Sequence, residues 1–261
     1  MASIILDDVV VDFPVYGVQK SLRRMLFGLF RRGAADKRVV VRALNHLTMT
    51  IRDGDRLGLI GANGAGKTTL LRVLAGIYAP TLGRVRINGR VSTLFITSPG
   101  LDTEDTGYEN IYTCGRFLGM SKAEIARKLP DIEEFSELGD YLALPVRTYS
   151  AGMLTRLGFA VATAIDPDIL VLDEGLGAGD ARFAERAKKR VETLLRRTNV
   201  LILASHSDDL IKQMCNRAVL LDHGRVIRDG KPDEILAQYH EMLKHAQTPQ
   251  LLVADDAPAL T

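Results

Sequence analysis

The stretch Gly61-Ala62-Asn63-Gly64-Ala65-Gly66-Lys67-Thr68 leaves this chain few folds to choose from. It matches G-x-x-x-x-G-K-[ST], with an apolar run (RLGLI, 56–60) before it and a helical pattern (TTLLRVLAGI, 68–77) after it. A strand that turns through glycines into a helix can aim consecutive backbone N–H groups at one anion. The glycines let the backbone curl, and the helix N-terminus adds its positive end. Gly61, Asn63, Gly64, Ala65, Gly66 and Thr69 would surround the phosphates of a nucleoside triphosphate. Lys67 would reach the β- and γ-phosphates, and the Thr68 hydroxyl would ligate Mg²⁺. The plain alternative is a Gly-rich turn with an exposed lysine, and the strand and helix on the correct sides weigh against it. By itself the loop says only nucleoside triphosphate.

Ile169-Leu170-Val171-Leu172-Asp173-Glu174 supplies a second half. A buried strand ending in two carboxylates belongs at the C-terminal edge of an open α/β sheet, where such sheets bind ligands. Asp173 would hold Mg²⁺ through water. Glu174 would act as general base on an attacking water, or orient it. An acidic strand end is common, so this pair carries weight only beside the phosphate loop.

The rest of the chain supports a sheet of this kind. After 169–173 come a helical run (ARFAERAKKRVETLLRR), an apolar run (VLILAS, 200–205), a short helix and AVLLD at 218–222. Apolar runs alternating with helices read as a parallel sheet covered on both faces. ASIILDDVVVDF and VVVRALNHLTMTIRDG lack intervening helices and read as an antiparallel β portion. Residues 107–145 are mostly helical in pattern (YENIYTCGRFLGM, SKAEIARKL, DIEEFSELGDYL) and read as an insertion between core strands. The expected fold is therefore α/β, a mainly parallel core with an antiparallel β subdomain and an inserted helical subdomain. The expected layout is one nucleotide-binding domain over 1–245, its helical subdomain at about 97–165, and a tail over 246–261.

Composition narrows the partners. Lys plus Arg number 34 against 32 Asp plus Glu, a net charge of +2, so no basic field points to nucleic acid. No run of about 18 apolar residues predicts a membrane span. The start, MASIILDDVV, lacks the basic and apolar regions of a signal peptide. Cys114 and Cys215 stand far apart, which suits a reducing compartment.

Tyr149-Ser150-Ala151-Gly152-Met153 opens a helical run, LTRLGFAVATAI, ahead of the Asp173-Glu174 strand. Here the chain resembles the ABC ATPases, whose signature is usually L-S-G-G-Q; Ser150 and Gly152 fall on its Ser and second Gly. A serine here can cap a helix while small residues let phosphate approach the amides. The resemblance implies that this signature contacts the γ-phosphate bound to another copy, so a working site needs a homodimer. It also implies that Gly179-Asp180 ends a loop crossing the dimer seam, and that His206 in Leu203-Ala204-Ser205-His206-Ser207 senses the γ-phosphate. Phe13, or else Tyr16, falls where an aromatic ring stacks on adenine.

The spellings Tyr-Ser-Ala-Gly-Met (149–153), Asp-Glu-Gly-Leu-Gly-Ala-Gly-Asp (173–180) and Ser-His-Ser-Asp-Asp-Leu-Ile (205–211) resemble one branch further. They are similar to the ATPase subunits that export O-antigen, capsule or teichoic-acid chains (Wzt-like), over roughly residues 5–240. That resemblance implies ATP and Mg²⁺, an integral membrane channel subunit, a lipid-linked polysaccharide as cargo, and a peripheral place on the cytoplasmic face of the cytoplasmic membrane. The alternative is the ATPase of another ABC transporter, a small-molecule importer among them. Two departures stand out. Ile96 falls where the family has the Gln or Glu that touches Mg²⁺ and couples to the membrane partner, and no appended carbohydrate-binding β-sandwich is expected.

One segment stays outside these motifs. Over residues 19–32, Lys20, Ser21, Arg24, Gly28, Arg31 and Arg32 share one helical face, Leu22, Met25, Leu26, Phe27, Leu29 and Phe30 spread over the other, and Arg23 breaks the pattern. It reads either as a surface helix packed on its own subdomain or as a helix at the membrane surface beside the channel entrance.

Overall fold

The computed structural model describes residues 1–15, 40–94, 100–173 and 181–245. Two sheets organise them. In the first, β1 (Ser3–Pro14) lies between β2 (Val40–Arg52) and β4 (Leu82–Asn88), antiparallel to both. The second has the order β5-β6-β7-β3-β8-β9, from β5 (Val91–Thr93), β6 (Ile169–Leu172), β7 (Val200–Ala204), β3 (Arg56–Ile60), β8 (Arg217–Asp222) and β9 (Arg225–Gly230). Its first five strands run parallel, and only the β8–β9 hairpin is antiparallel.

Alternation along the parallel strands explains the layers. Successive strand side chains point to opposite faces. Leu57, Leu59, Ile169, Val171, Val200, Ile202, Val219 and Leu221 thus join one core, with α1 (Lys67–Leu74) and the antiparallel sheet. Their neighbours Leu170, Leu172, Leu201, Leu203, Ala218 and Leu220 join the other core, under the remaining helices. The apolar runs read from the sequence are continuous because both faces are buried. The helix α1 packs on β2 and β4 on one side and on β6 and β7 on the other. Leu70, Leu71, Val73 and Leu74 are its buried residues. At about 1.5–3 kcal/mol for each fully buried large apolar side chain, they fix the helix, and hence the loop before it, between two sheets.

On the second face lie α2 (Gly107–Phe117), α3 (Lys122–Ser136), α4 (Ala151–Thr163), α5 (Ala181–Arg197), α6 (Asp208–Met214) and α7 (Pro232–His245). Each of α2, α3 and α4 starts on a hydroxyl cap that accepts from a backbone N–H three residues on: Thr106 from Glu109, Ser121 from Glu124, Ser150 from Met153. The Thr106 cap is reciprocal, and its hydrogen bonds lower the pKa of the Glu109 carboxyl.

The mainly parallel core and antiparallel portion are as the sequence predicts. The structure adds β4, β9 and α7. It also joins the two helical runs on either side of Pro130 into one helix, α3. A proline removes one ladder bond. The buried Ile125, Ile132 and Phe135 carry the helix through that loss.

Candidate functional site

The phosphate loop leaves β3 at Ile60 and enters α1 at Lys67. Gly66 occupies the N-cap position with φ 103°, in a region that side chains disfavour. A Cβ there would stand 2.7 Å from the Ala43 carbonyl oxygen, so the loop is pressed against β2 at the point where the helix begins. No side chain caps α1 and no acid stands in its first turn, so the amides of Lys67, Thr68 and Thr69 present the positive helix end. Ala65 is buried, while Asn63 and Gly64 are exposed at the tip. Lys67 Nζ donates to the carbonyls of Gly61 (2.6 Å) and Ala62 (3.1 Å), which draws its charge across the loop.

The tip of the β8–β9 hairpin supports this loop. His223 and Gly224 have φ 44° and 72°, a two-residue turn of the type that suits hairpins. The Gly224 N–H donates to the Ala65 carbonyl (3.0 Å), and the Gly224 carbonyl accepts from the Asn45 N–H (2.8 Å). Sequence reasoning missed this brace. Asp222-His223-Gly224 between two apolar runs signals a hairpin, but not where its tip docks.

Asp173 follows β6 and faces the loop across the sheet edge. The Thr68 hydroxyl donates to Asp173 Oδ2 at 3.4 Å, a long contact between two hard oxygen ligands. That donor set suits Mg²⁺, which is held by one or two protein oxygens together with substrate phosphates rather than by a dedicated cage. Among the described residues no group of three or more His, Cys, Asp or Glu able to hold a metal occurs. The strand order places β7 between β6 and β3, so His206, two residues past β7, lies along the same carboxyl edge. It is exposed, and the turn that carries it is fixed on both sides. The buried Ser205 accepts from the Ser207 N–H (3.0 Å), and Ser207 caps α6 by accepting from the Leu210 N–H (3.3 Å).

Phe13 lies near the end of β1, paired with Val41 of β2, two residues before the Ala43 that touches Gly66. Its ring is 37% exposed and meets Tyr78 edge-on at 5.5 Å. Tyr78 in turn accepts from Arg72 of α1 (2.9 Å), which links the aromatic ring to the phosphate-loop helix. Next to Phe13, Asp12 takes two hydrogen bonds from Arg42 and raises its pKa.

Ser150 and Gly152 stand elsewhere. They open α4, which packs on α2, α3 and α5, on the sheet face opposite α1. Tyr149, 8% exposed, anchors them by donating from its hydroxyl to the Tyr141 carbonyl (2.6 Å). A Cβ on Gly152 would meet only Ser150 Oγ, at 3.8 Å, so the start of this helix is open to an approaching group. The structure thus gathers the phosphate loop, Asp173 and His206, and sets Ser150 and Gly152 apart. Tyr16, Ile96, Glu174, Asp180, the 19–32 segment and the tail over 246–261 lie outside the described residues.

Comparison with known proteins bears on this arrangement. The profile of the family described as ABC transporter matches residues 44–177. An O-antigen export system ATP-binding protein of Yersinia enterocolitica is 44% identical over 235 residues, covering 88% of this chain and 98% of that protein. A protein of the same description from Myxococcus xanthus is 40% identical and aligns with all of this chain, which spans 60% of its length. Among solved structures, a dimeric ATP-binding cassette bound to ADP and Pi has a TM-score of 0.60 at 20% identity. It covers 88% of this chain and 98% of its own, and it shares the fold.

Proposed function

Since the chain belongs to the ABC transporter family, we propose that it is the ATP-hydrolysing motor subunit of an exporter that moves a lipid-linked polysaccharide across the cytoplasmic membrane. The observation that carries this reading is the meeting of Thr68 and Asp173 at the mouth of the phosphate loop, in a chain 44% identical to an O-antigen export ATP-binding protein.

In this reading the loop amides and Lys67 bind and orient the β- and γ-phosphates, and Phe13, with Tyr16 the other choice, stacks on the adenine. Thr68 and Asp173 would hold Mg²⁺, which when bound offsets phosphate charge. Glu174, one residue past Asp173, takes a proton from the attacking water or orients it. His206 contacts the γ-phosphate from the β7 edge. Ser150 and Gly152 act on the nucleotide of a second copy, and Asp180 belongs to the seam between the two copies. This division of labour fits their separation from the loop within one chain. A helix N-terminus offers donors to a γ-phosphate wherever a second copy presents one. No described helix is long and apolar enough to cross a membrane, so the path for the cargo is assigned to a separate membrane subunit. The motor sits peripherally on that subunit's cytoplasmic side.

The test uses the chain assembled with its membrane subunit. Glu174→Gln should bind ATP, hold two copies together and lose hydrolysis by about a hundredfold or more, in the range of a missing catalytic base. Lys67→Ala should weaken binding and turnover together. Deleting the chain should leave lipid-linked glycan on the cytoplasmic leaflet. Normal hydrolysis by Glu174→Gln would remove that residue's role. Undisturbed glycan export in the deletion would remove the cargo assignment.

A further inference from the structure

Where α3, α4 and α5 meet, three buried rings pack on one another. Phe135, Phe159 and Phe183 have centroids 5.5–5.9 Å apart. Arginines surround them. From α5, Arg186 lies over Phe135 at 5.1 Å and Arg190 over the same ring at 4.6 Å; from α4, Arg156 lies over Phe183 at 5.4 Å.

Each α5 arginine also reaches a carboxylate at the far helix. Arg186 forms an ion pair with Glu137, the residue that ends α3, and its Nη2 donates to the Phe135 carbonyl (3.1 Å) and the Glu134 carbonyl (3.3 Å). A guanidinium there answers the orphan carbonyls and negative end of α3. Glu137 turns its other oxygen to Arg156 of α4, at 3.5 Å. One turn further along α5, Arg190 takes Asp131 of α3 through both Nη atoms, and its Nε donates to the Thr163 hydroxyl at the end of α4 (3.2 Å). Arg186 is thus joined to α4 through Glu137, and Arg190 directly through Thr163.

We propose that Arg186–Glu137–Arg156 and Arg190–Asp131 are positioning residues that lock the direction of the signature helix α4 to that of α5. This rests on the reading in which Ser150 serves a second copy's nucleotide. Helix α5 begins directly after Asp180, and α4 begins directly after Ser150. The two segments assigned to the seam between copies are therefore the leading ends of two helices held by the same arginines. Apolar packing of three rings would hold the helices together but is tolerant of sliding and rotation. Guanidinium–carboxylate pairs have a fixed planar geometry and penalise both. The angle at which α4 presents Ser150 to the neighbour is then set by α5 and α3 and not by α4 alone.

The experiment uses the assembled transporter. Glu137→Gln keeps side-chain volume while removing the charge that joins α4 to α5. It should lower kcat by about tenfold, a modest share of what misplacing a transition-state donor can cost. The Hill coefficient for ATP should fall to about 1, while ATP affinity of the isolated subunit stays within about twofold of the parent. Glu137→Asp, which keeps a carboxylate between Arg156 and Arg186, should retain much of kcat and the cooperativity. Parental kcat and Hill coefficient in a Glu137→Gln, Asp131→Asn double variant would overturn the proposal, as would equal loss of ATP affinity in the isolated subunit. Ser150→Arg separates the two levels. If it abolishes cooperative hydrolysis while the double variant is unaffected, only the positioning role fails. If Ser150→Arg is itself fully active, the trans-acting signature fails, and the positioning role with it.

Discussion

Replacing Gly66 by alanine tests whether the phosphate loop is built as described, because the neighbouring Gly64 provides an internal control. Both glycines have positive φ, 103° and 82°. Holding an alanine in a left-handed conformation costs about 1–2 kcal/mol in either place. They differ in what a Cβ would meet. At Gly64 nothing lies within 4 Å. At Gly66 the Ala43 carbonyl oxygen is at 2.7 Å, Leu44 Cδ2 at 3.2 Å and Gly224 Cα at 3.4 Å. Two of these are backbone atoms of β2 and of the hairpin tip, so relief requires α1 to shift against both. Overpacking of this kind adds about 1–3 kcal/mol. Gly66→Ala should therefore lose roughly 2–5 kcal/mol. At roughly 2–4 °C per kcal/mol for a chain of this size, the melting temperature should fall by something like 5–15 °C. Gly64→Ala should lose no more than half as much. Because the shift opens the cradle of amides, Gly66→Ala should also lose ATP binding in a fluorescent-nucleotide titration. Equal melting temperatures for the two variants would refute the reasoning, since only the crowding distinguishes them.

Three further outcomes follow from single contacts. Arg190 hydrogen-bonds Asp131 and holds its carboxyl below the ordinary carboxylate range. A depressed pKa stabilises the fold above the unfolded value and is lost as pH falls through the folded one, so this contribution should disappear below about pH 4. Thermal unfolding of Asp131→Asn should accordingly show a shallower decline with acid than the parent. Burial pushes the thiol pKa of Cys114 to about 11 and of Cys215 to about 12, so neither should react with iodoacetamide at pH 8 until the chain is unfolded. Tyr149→Phe leaves the Tyr141 carbonyl without the Tyr149 hydroxyl, which should cost about 1 kcal/mol, read as a fall of a few degrees in melting temperature.

The parallel sheet was legible because its strands are buried on both faces. RLGLI, ILVLD and VLILAS read as unbroken apolar runs, and the glycines and lysine after the first of them name the ligand class. The edges were less legible. Strand β4 alternates only over Arg84-Val85-Arg86-Ile87-Asn88, a short stretch at the edge of the antiparallel sheet whose inward Val85 and Ile87 are only partly buried. Strand β9, at the other sheet's edge, is mostly exposed for the same reason. Pro130 marked a helix end in the sequence, but the packing of Ile125, Ile132 and Phe135 overrides one missing hydrogen bond. Local pattern reports burial, and where an element is held by a few long-range contacts it reports little.

The same limit shapes the site. Lys67 and Thr68 could be assigned from sequence because six residues in a row create the geometry they need. Asp173, 105 residues away from Thr68, needed the strand order 6-7-3 to bring it to the loop edge. Ser150 goes one step further. Strand parity sends α1 to one face of the sheet and α4 to the other, so no repacking of this chain's helices short of refolding it joins Ser150 to Lys67. In the proposed reading a second copy supplies what the topology forbids within one. Hydrolysis would then depend on how firmly each copy aims its α4. On that proposal the aim of one helix, set by the carboxylates of Glu137 and Asp131 against two arginines of α5, would be as consequential for turnover as the residues that touch phosphate.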